Sequence, residues 1–455
     1  MMMAGDQNLH HATDAAAMAA AMDLLLGKSS ATATATAVSY VQTLNGYSDA
    51  TVTVNIPPTQ GAYAGQSTYV EVIASRSYTL QLMQLLSGTT KQTYQVRSVA
   101  GYANSTAGGV IDVLDPSPPT LAIAAVLPAL PLYTALTGGL EVLGLGQVSV
   151  NGAVLVNTDW GGVDQNGNPA GVSAGPPYGI SCTALVNLTH LNATNIRVVG
   201  GVDNPLNYGN YTAGSASPLL CNQLTVPDPL ISLAVPTTTS DPTNVSAHNY
   251  GGVQVVQIPL IGGTTVLQPG VYDWIEVDSG TVIFEPGIYI IRNVNSSTGI
   301  ALNIQGGTVT ANGVMFYVTN STAYDATTGL PDSGDGSTRP ATPSQTSMVP
   351  SVLINAALTG SNFSPLASTG SPFNGMLVYQ RREDYSPVVI LQASLLGATS
   401  VSGTIYAKWG QVLFEGIGAY NMRIVGGTVR LDTVLGMSFT PSSLLSAAQD
   451  VSLVE

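Results

Sequence analysis

The sequence predicts a mainly β protein: a right-handed β-helix or β-solenoid-like body behind a small N-terminal α+β domain. Three observations carry the prediction. Only 8% of the 455 residues are charged, where a globular domain carries about 25%. Gly (49), Pro (27) and abundant Thr, Ser, Asn and Val fill the gap, a mix that suits many short strands and turns. From Gly109 on, short alternating segments recur between Gly and Asn turns, with no helical periodicity. Short phrases also echo one another. "LQPGVY" (Leu267–Tyr272) answers "FEPGIY" (Phe284–Tyr289), "GGTV" occurs at Gly306 and Gly426, and "SGTV" and "SGTI" occur at Ser279 and Ser402. Strands repeating about every 17–25 residues without intervening helices indicate a solenoid. About ten to twelve coils stacked at about 4.8 Å would make a rod of about 50 Å. Tandem β-sandwiches remain open, because the same alternation permits them.

The chain opens on a helical pattern, "NLHHATDAAAMAAAMDLLLGKS" (Asn8 to Ser29). His11, Ala15, Met18, Met22 and Leu25 fall on one stripe. The alanines around it allow another backbone to approach closely. Ala15, Met18, Ala19, Met22 and Leu25 are therefore the candidate assembly interface. Asp6 or Asn8 can cap the helix and Gly27 can end it. "GKS" (Gly27–Ser29) is not a phosphate loop, since Met22 stands where that loop needs glycine. A second short helix follows in "ATATATAVSYVQTLNGY" (Ala31–Tyr47). Strands are expected at Ala50–Ile56, Ser67–Tyr78 and Thr93–Tyr102, with a short helix at Thr79–Gly88. Residues 1–107 thus read as a small α+β domain.

Residues 4–102 resemble the tight-adherence (Flp) pilus-assembly proteins of the TadE/TadG kind. The resemblance rests on "LHHATDAAAMAAA" (Leu9–Ala21), Asn45-Gly46 after a second helix, Val52/Val54, "YVEVIASRSYTLQLMQLL" and "YQVRSVAGY". It covers about a fifth of the chain. It implies a membrane-anchoring helix immediately before Leu9, where this sequence has only "MMMAGDQ". Membrane attachment is accordingly expected only through a missing upstream helix. Residues 141–435 also resemble the extracellular part of some TadG-like proteins, through "EPGIYIIRN", "GGTVTANGVMFYVTN" and "SGTIYAKWG". That resemblance implies β-helix character and assigns no catalytic residue.

The β region spans 108–441. In "TVRLD" (Thr428–Asp432), Val429 and Leu431 are expected on one side, Arg430 and Asp432 on the other. "LAIAAVLPALPLYTALTGG" (Leu121–Gly139) is long and uncharged, but Pro128, Pro131 and Gly138-Gly139 break it as a membrane span. Ser321–Pro350 is polar and turn-rich and reads as an exposed insertion. Val226–Ser246 is a second Pro-rich crossing. Residues 442–455 read as a docking tail or a frayed end.

Chemistry is sparse. The net charge is −14 with no basic patch, which excludes nucleic acid as a partner. "NTD" (Asn157–Asp159) lacks the paired acids that glycoside hydrolysis needs, so no catalytic residue is assigned. The four histidines form no metal-ligand spacing, and no cofactor is expected. "DQNGN" (Asp164–Asn168) and "DSGDG" (Asp332–Gly336) have the flavour of calcium loops, but Pro169 and Gly175 occupy the key positions of the first. Cys182 and Cys221 are the only cysteines. A disulfide between them would stabilise by about 3–4 kcal/mol, and two buried free thiols are the alternative. "QRREDY" is the densest charge cluster. Arg381, Arg382, Glu383, Asp384 and Tyr385 are either a solvated strand end or a surface contact. Twenty tyrosines against six phenylalanines suit interfaces or sugar stacking. Tyr208, Tyr211, Tyr250, Tyr379, Tyr385 and Tyr406 are the first candidates.

The expected function is that of a non-enzymatic bacterial cell-surface or extracellular structural protein. It would be a pilus-associated or filament-forming subunit, or an adhesin. Its partners would be further copies of itself, other pilus-assembly proteins or surface glycans. The competing class is a carbohydrate-binding or carbohydrate-active β-helix.

Overall fold

A computed structural model describes the chain apart from residues 1, 26–27, 80–90, 106–108, 125–133, 184–188, 257–262, 335, 346, 356–359, 393–399, 434, 442–447 and 455. The fold is mainly β, with a large parallel sheet of many strands. Two compact units form. One comprises Met1–Gly108, Pro229–Ser232 and Ala447–Glu455, the other Gly109–Asp228 and Leu233–Ser446.

The first unit packs two helices, α1 (Met2–Leu25) and α2 (Ser30–Ser39), against an antiparallel sheet. Ser29 of the "GKS" run caps α2, its Oγ accepting the Thr32 N–H at 3.2 Å. The sheet carries β1 (Thr51–Asn55), β2 (Tyr69–Thr79) and β3 (Lys91–Ser105). The expected helix at Thr79–Gly88 lies outside the described residues, except that Thr79 ends β2.

The face that α1 buries is not the expected one. Leu9, Ala12, Ala16, Ala17, Ala20 and Ala21 are fully buried with Val70, Val72, Ala74, Val96 and Ala100 of the sheet. Alanine wins this face because only a small side chain lets the helix axis approach a sheet so closely. Of the expected interface, Leu25 is core at 3% exposure, Met18 is 42% exposed, and Ala15, Ala19 and Met22 are half-buried. The alanines therefore serve contact within the unit, and Leu25 is withdrawn as an interface residue. The expected tail is corrected as well. Ala448–Leu453 adds a fourth strand, pairing antiparallel with β3 from Ala448↔Ser105 to Leu453↔Ala100.

In the second unit every described strand pairs in parallel, and apart from the separate pair Ala122–Ile123 with Ser347–Met348 the pairs fall into three ladders. Each can be followed along one column of partners. The first runs Asn249, Val271, Ile290, Tyr317, Tyr379, Tyr406, Val425, Asp112, Leu155, Arg197, Leu220. The second runs Gln254, Glu276, Asn303, Leu353, Val389, Leu413, Arg430, Glu141, Ser181. The third has two runs of five: Val266, Ile283, Thr310, Asn362, Ser400, and Ala419, Ser438, Ser149, Asn192, Gly209. Long strands serve two ladders by turning a corner. In Thr308–Val318, Thr308–Ala311 pair with Thr281–Phe284, and Val314–Val318 pair with Gly287–Ile291.

Two of the echoes meet within the ladders, although Gly270 pairs with Tyr289 and not with Gly287. Leu267 of "LQPGVY" pairs with Phe284 of "FEPGIY", and Thr281 of "SGTV" with Thr308 of "GGTV". One feature has no echo. The last strands sit on the first: Ile424 pairs with Ile111, Val429 with Leu140, and Met437 with Val148. The order of ranks is therefore 249 to 439, then 111 to 220, with residues 221–248 returning from one end to the other. Two buried ion pairs lie at this seam, Arg423 with Asp112 at 3.0 Å and Arg430 with Glu141. Val429 and Leu431 lie in the inner core and Arg430 between them does not, yet it is covered as well, at 1% exposure.

The seam ion pair is testable. Removing one partner of a buried pair leaves a charge uncompensated, whereas an apolar pair of similar volume is tolerated. Arg430→Met is expected to cost the second unit about 3–5 kcal/mol in urea unfolding, and Arg430→Met with Glu141→Met to recover most of it. A single-variant loss below about 1 kcal/mol would show that the pair does not hold the seam.

The two units should also respond oppositely to acid. In the first, Glu71 is a buried carboxylate. Burial alone would raise its pKa, but hydrogen bonds from Thr59, Asn55 and Arg97 outweigh it and hold the group at about 2, against an ordinary 4.5. That stability is present above 4.5 and is lost as pH falls toward 2. In the second unit, burial raises Asp115, Asp203, Glu276, Asp332 and Asp432. Their contribution is greatest below the ordinary values and is lost as pH rises through the raised ones. Calorimetry from pH 5 to pH 2 should show the first unit's transition falling before the second's. Parallel decline of both would refute this assignment.

Candidate functional site

The outer side of the first ladder carries a column of three tyrosines in register. Tyr317, Tyr379 and Tyr406 stand with ring centroids 5.1 Å apart at each step, edge to face. All three are buried, and their hydroxyls must find partners there. Tyr317 donates to Asp332 at 2.8 Å, Tyr406 to Asp228 at 2.7 Å, and Tyr379 to the Leu233 carbonyl at 3.4 Å. Burial pushes the hydroxyl pKa of Tyr379 up to about 12 and that of Tyr406 higher. These are therefore neutral donors at physiological pH, and not open platforms for sugar stacking.

The "QRREDY" cluster fastens the same column. Arg382 is 6% exposed. Its Nε donates to Tyr406 at 2.9 Å and its Nη2 to the Leu233 carbonyl at 2.5 Å, and its guanidinium lies 5.6 Å from both the Tyr379 and Tyr406 rings. Arg381 pairs with Asp332 at 2.9 Å and with Glu383 at 3.3 Å. Asp384 accepts from Asn320 and from the Ser386 N–H. Tyr385 is also buried, and Arg339 donates to its hydroxyl at 2.8 Å. Only Glu383 of the five candidates is fully exposed. The expected surface contact is therefore corrected: Arg382 and Tyr385 face inward, where their charge and hydroxyl are satisfied.

What they hold is the chain that covers the sheet. The insertion 321–350, exposed at most of its described residues, is fastened through Tyr324, Asp332 and Arg339. The hydroxyl of buried Tyr324 donates to the Pro236 carbonyl at 2.6 Å. Arg339 reaches Asp115 at 3.1 Å and stands 5.9 Å over the Trp409 ring. The crossing after Val226 is held at intervals. Asn157 exchanges two hydrogen bonds of 2.7 Å with Val226, Lys408 pairs with Asp228 at 3.3 Å, and Ser371 donates to Asp241. The "NTD" run is thereby explained as a fastening, with Thr158 also donating to the Asp115 carbonyl at 2.9 Å.

A small neutral pocket lies beside Trp409, lined also by Pro118, Pro119, Tyr385, Gln411 and Thr428. Gln411 is 6% exposed and its Nε2 has no partner. Of the described lining residues only Tyr385 titrates, so the pocket holds no acid–base pair. The "DQNGN" run is a turn whose Asp164 Oδ1 accepts the N–H groups of Asn166 at 2.8 Å and Asn168 at 2.9 Å. Among the described residues no group of three or more His, Cys, Asp or Glu could hold a metal ion. No described helix is long and apolar enough to cross a membrane.

The expected disulfide is corrected. Cys182 and Cys221 are both free, buried thiols. Cys182 lies beside Tyr208 and Asp203, while Cys221 contacts the Val163 carbonyl and Gln165. Burial pushes Cys221 up to about 12 and Cys182 further. Of the remaining tyrosine candidates, Tyr208 is buried on Asp203, while Tyr211 and Tyr250 are 37% and 38% exposed. Arg423 and the outward third ladder were not singled out from sequence, and Arg430 was read only for its place in the alternation. The "SGTV" and "GGTV" echoes were the available signal for the ladder.

No protein-family model, curated protein or solved structure matches the chain.

A thiol reagent at pH 8 should label neither cysteine in the folded protein and both after denaturation, with no mobility change on reduction, since a buried thiol is not ionised. Rapid labelling of the folded chain would contradict the burial.

Proposed function

We propose that the second unit is a right-handed, three-faced β-solenoid. We further propose that the protein is a cell-surface or extracellular structural subunit, pilus-associated or filament-forming, that assembles with copies of itself. The three ladders, with strands that turn from one to the next, support the solenoid. The order of α1, α2, β1, β2 and β3 supports the TadE/TadG-like reading of the first unit.

One observation carries the assembly reading. Among the described residues, the strands Asn249–Val255 and Thr264–Leu267 pair on one side, with Gly270–Val277 and Thr281–Phe284. Nothing charged stands at 249–256 or 263–267, and Val256 and Val266 are 61% and 47% exposed. Natural sheets guard such edges with Lys, Pro or other blocking groups, and solenoids end in polar caps. An unguarded end offers its backbone to a further strand, and a head-to-tail contact that does not close generates an open polymer.

Negative-stain microscopy with mass photometry tests this. Ordered filaments or rings that disappear on Val266→Lys are the expected outcome. A monomer that persists at tens of micromolar, the range in which such edges associate, would overturn self-assembly.

A further inference from the structure

We propose that the third face of the second unit binds the surface of an ordered, uncharged polysaccharide. The proposal rests on the three-faced solenoid reading and goes beyond the assembly assigned to its end.

The first ground is where the chain spends its excursions. Outward residues of the second ladder are covered: Leu353, Val389 and Leu413 form a sealed cluster with Ile123 and Ile300. Those of the first ladder lie beneath the insertion and the crossing, as Tyr317, Tyr379 and Tyr406 do. Among the described residues the third ladder is exposed along both of its runs, whereas exposure in the other two columns is confined to their end strands, at Asn249, Gln254 and Leu220. Thr264, Thr281, Thr308, Ser400, Ala419 and Gln147 are exposed, and the outward residues between them are half-buried.

The second ground is charge. The chain carries 26 acidic and 12 basic residues, yet no Asp, Glu, Lys or Arg occupies an outward position of the third ladder. His190 is its one titratable side chain. A face without cations does not attract anionic polymers, and a face without anions does not select cationic peptides.

The third ground is repetition. Ladder partners recur at about 4.8 Å, so Thr264, Thr281 and Thr308 form one column of hydroxyls, and Ser438 and Ser149 lie in another. Each hydroxyl both donates and accepts, as sugar hydroxyls do. Asn362 donates to Asn312 at 3.0 Å and accepts from Ser400, which holds that part of the array in place. Thr methyls with Ile283 and Val266 supply apolar contact for C–H faces. The face has no aromatic platform to grip a single soluble sugar. Its contacts are individually weak and gain strength by number, which favours a polymer surface over an oligosaccharide.

A second copy is the lesser candidate. Ten strands at about 4.8 Å, each about 10 Å wide, offer about 450 Å² per copy. Two such faces bury about 900 Å², below the roughly 1,200 Å² at which stable interfaces begin.

The test is co-sedimentation of the full chain with microcrystalline cellulose, chitin and insoluble mannan, with pectate as the anionic control, in 0.1 M and 1 M NaCl. The expected result is retention on at least one neutral polymer at both salt concentrations and none on pectate. Retention should fall at least tenfold in Thr281→Glu/Thr308→Glu and in Ser149→Glu/Ser438→Glu, with unchanged circular dichroism and melting temperature. Two pairs are used so that the misfolding of one leaves the other to decide. The proposal is overturned by no retention on any neutral polymer, by retention abolished in 1 M NaCl, or by retention that both folded variants keep. It is also overturned if these variants alter the mass distribution in photometry, which would make the face a contact between copies. Failure here leaves the filament test untouched, because that test reads the end strands and Val266→Lys.

Discussion

The second unit depends on one contact that chain connectivity does not supply: the last rank of strands resting on the first. Elsewhere in the sheet each rank lies on one that is near in sequence, so closing it costs little loop entropy. At the seam, Ile424 meets Ile111 and Val429 meets Leu140 across some three hundred residues. Valine, isoleucine and leucine dominate the inner core along the ranks, so apolar burial alone would accept a slipped rank almost as readily as the right one. The two buried arginines remove that ambiguity. Arg430 sits directly opposite Glu141, and Arg423 reaches Asp112. A buried guanidinium without its carboxylate is strongly unfavourable, so any wrong rank leaves charge stranded in the core. In a chain with only 12 basic residues, placing two of them at this junction identifies where register has to be specified.

The same economy governs the covering of the sheet. Long segments without regular structure cross the first and second ladders. Such segments bury backbone polar groups that need partners. Tyrosine, arginine and asparagine supply them: Tyr324 to Pro236, Arg382 to Leu233, Asn157 to Val226. The tyrosine excess is thus explained from inside the fold. An apolar ring stacks on the ring of the next rank, and its hydroxyl secures the chain lying above. The third ladder has no such cover, and its outward residues are correspondingly small, polar and uncharged.

Much of the local structure was legible. β1, β2 and β3 lie where period-two alternation places them, and α2 ends at Ser39 but is continued by a π-helical turn, Tyr40–Leu44. Two of the phrase echoes mark strands that stack, Leu267 on Phe284 and Thr281 on Thr308, although their glycine corners are offset, with Gly270 on Tyr289. The errors share one cause. Alternation and charge density report what a side chain is, and not what lies above it. Arg382, Tyr385, Tyr379 and Tyr406 were read as surface because nothing local shows that an insertion covers them. The stripe of α1 was drawn through its largest apolar residues, whereas the sheet selected the alanines beside them. The Ala448–Leu453 strand was missed because its partner, β3, lies more than three hundred residues away.

Composition and periodicity by themselves determined the class: mainly β, low in charge, with short recurring strands and a small helical domain at the start. Those properties depend on neighbours along the chain, whose spacing the sequence contains. Tertiary structure decided the order of ranks, the burial of the ionic cluster, the state of the two cysteines and which face of the sheet stays bare. Each of these depends on contacts between distant residues, where hydrogen-bond satisfaction and close packing choose among arrangements that local pattern leaves equivalent.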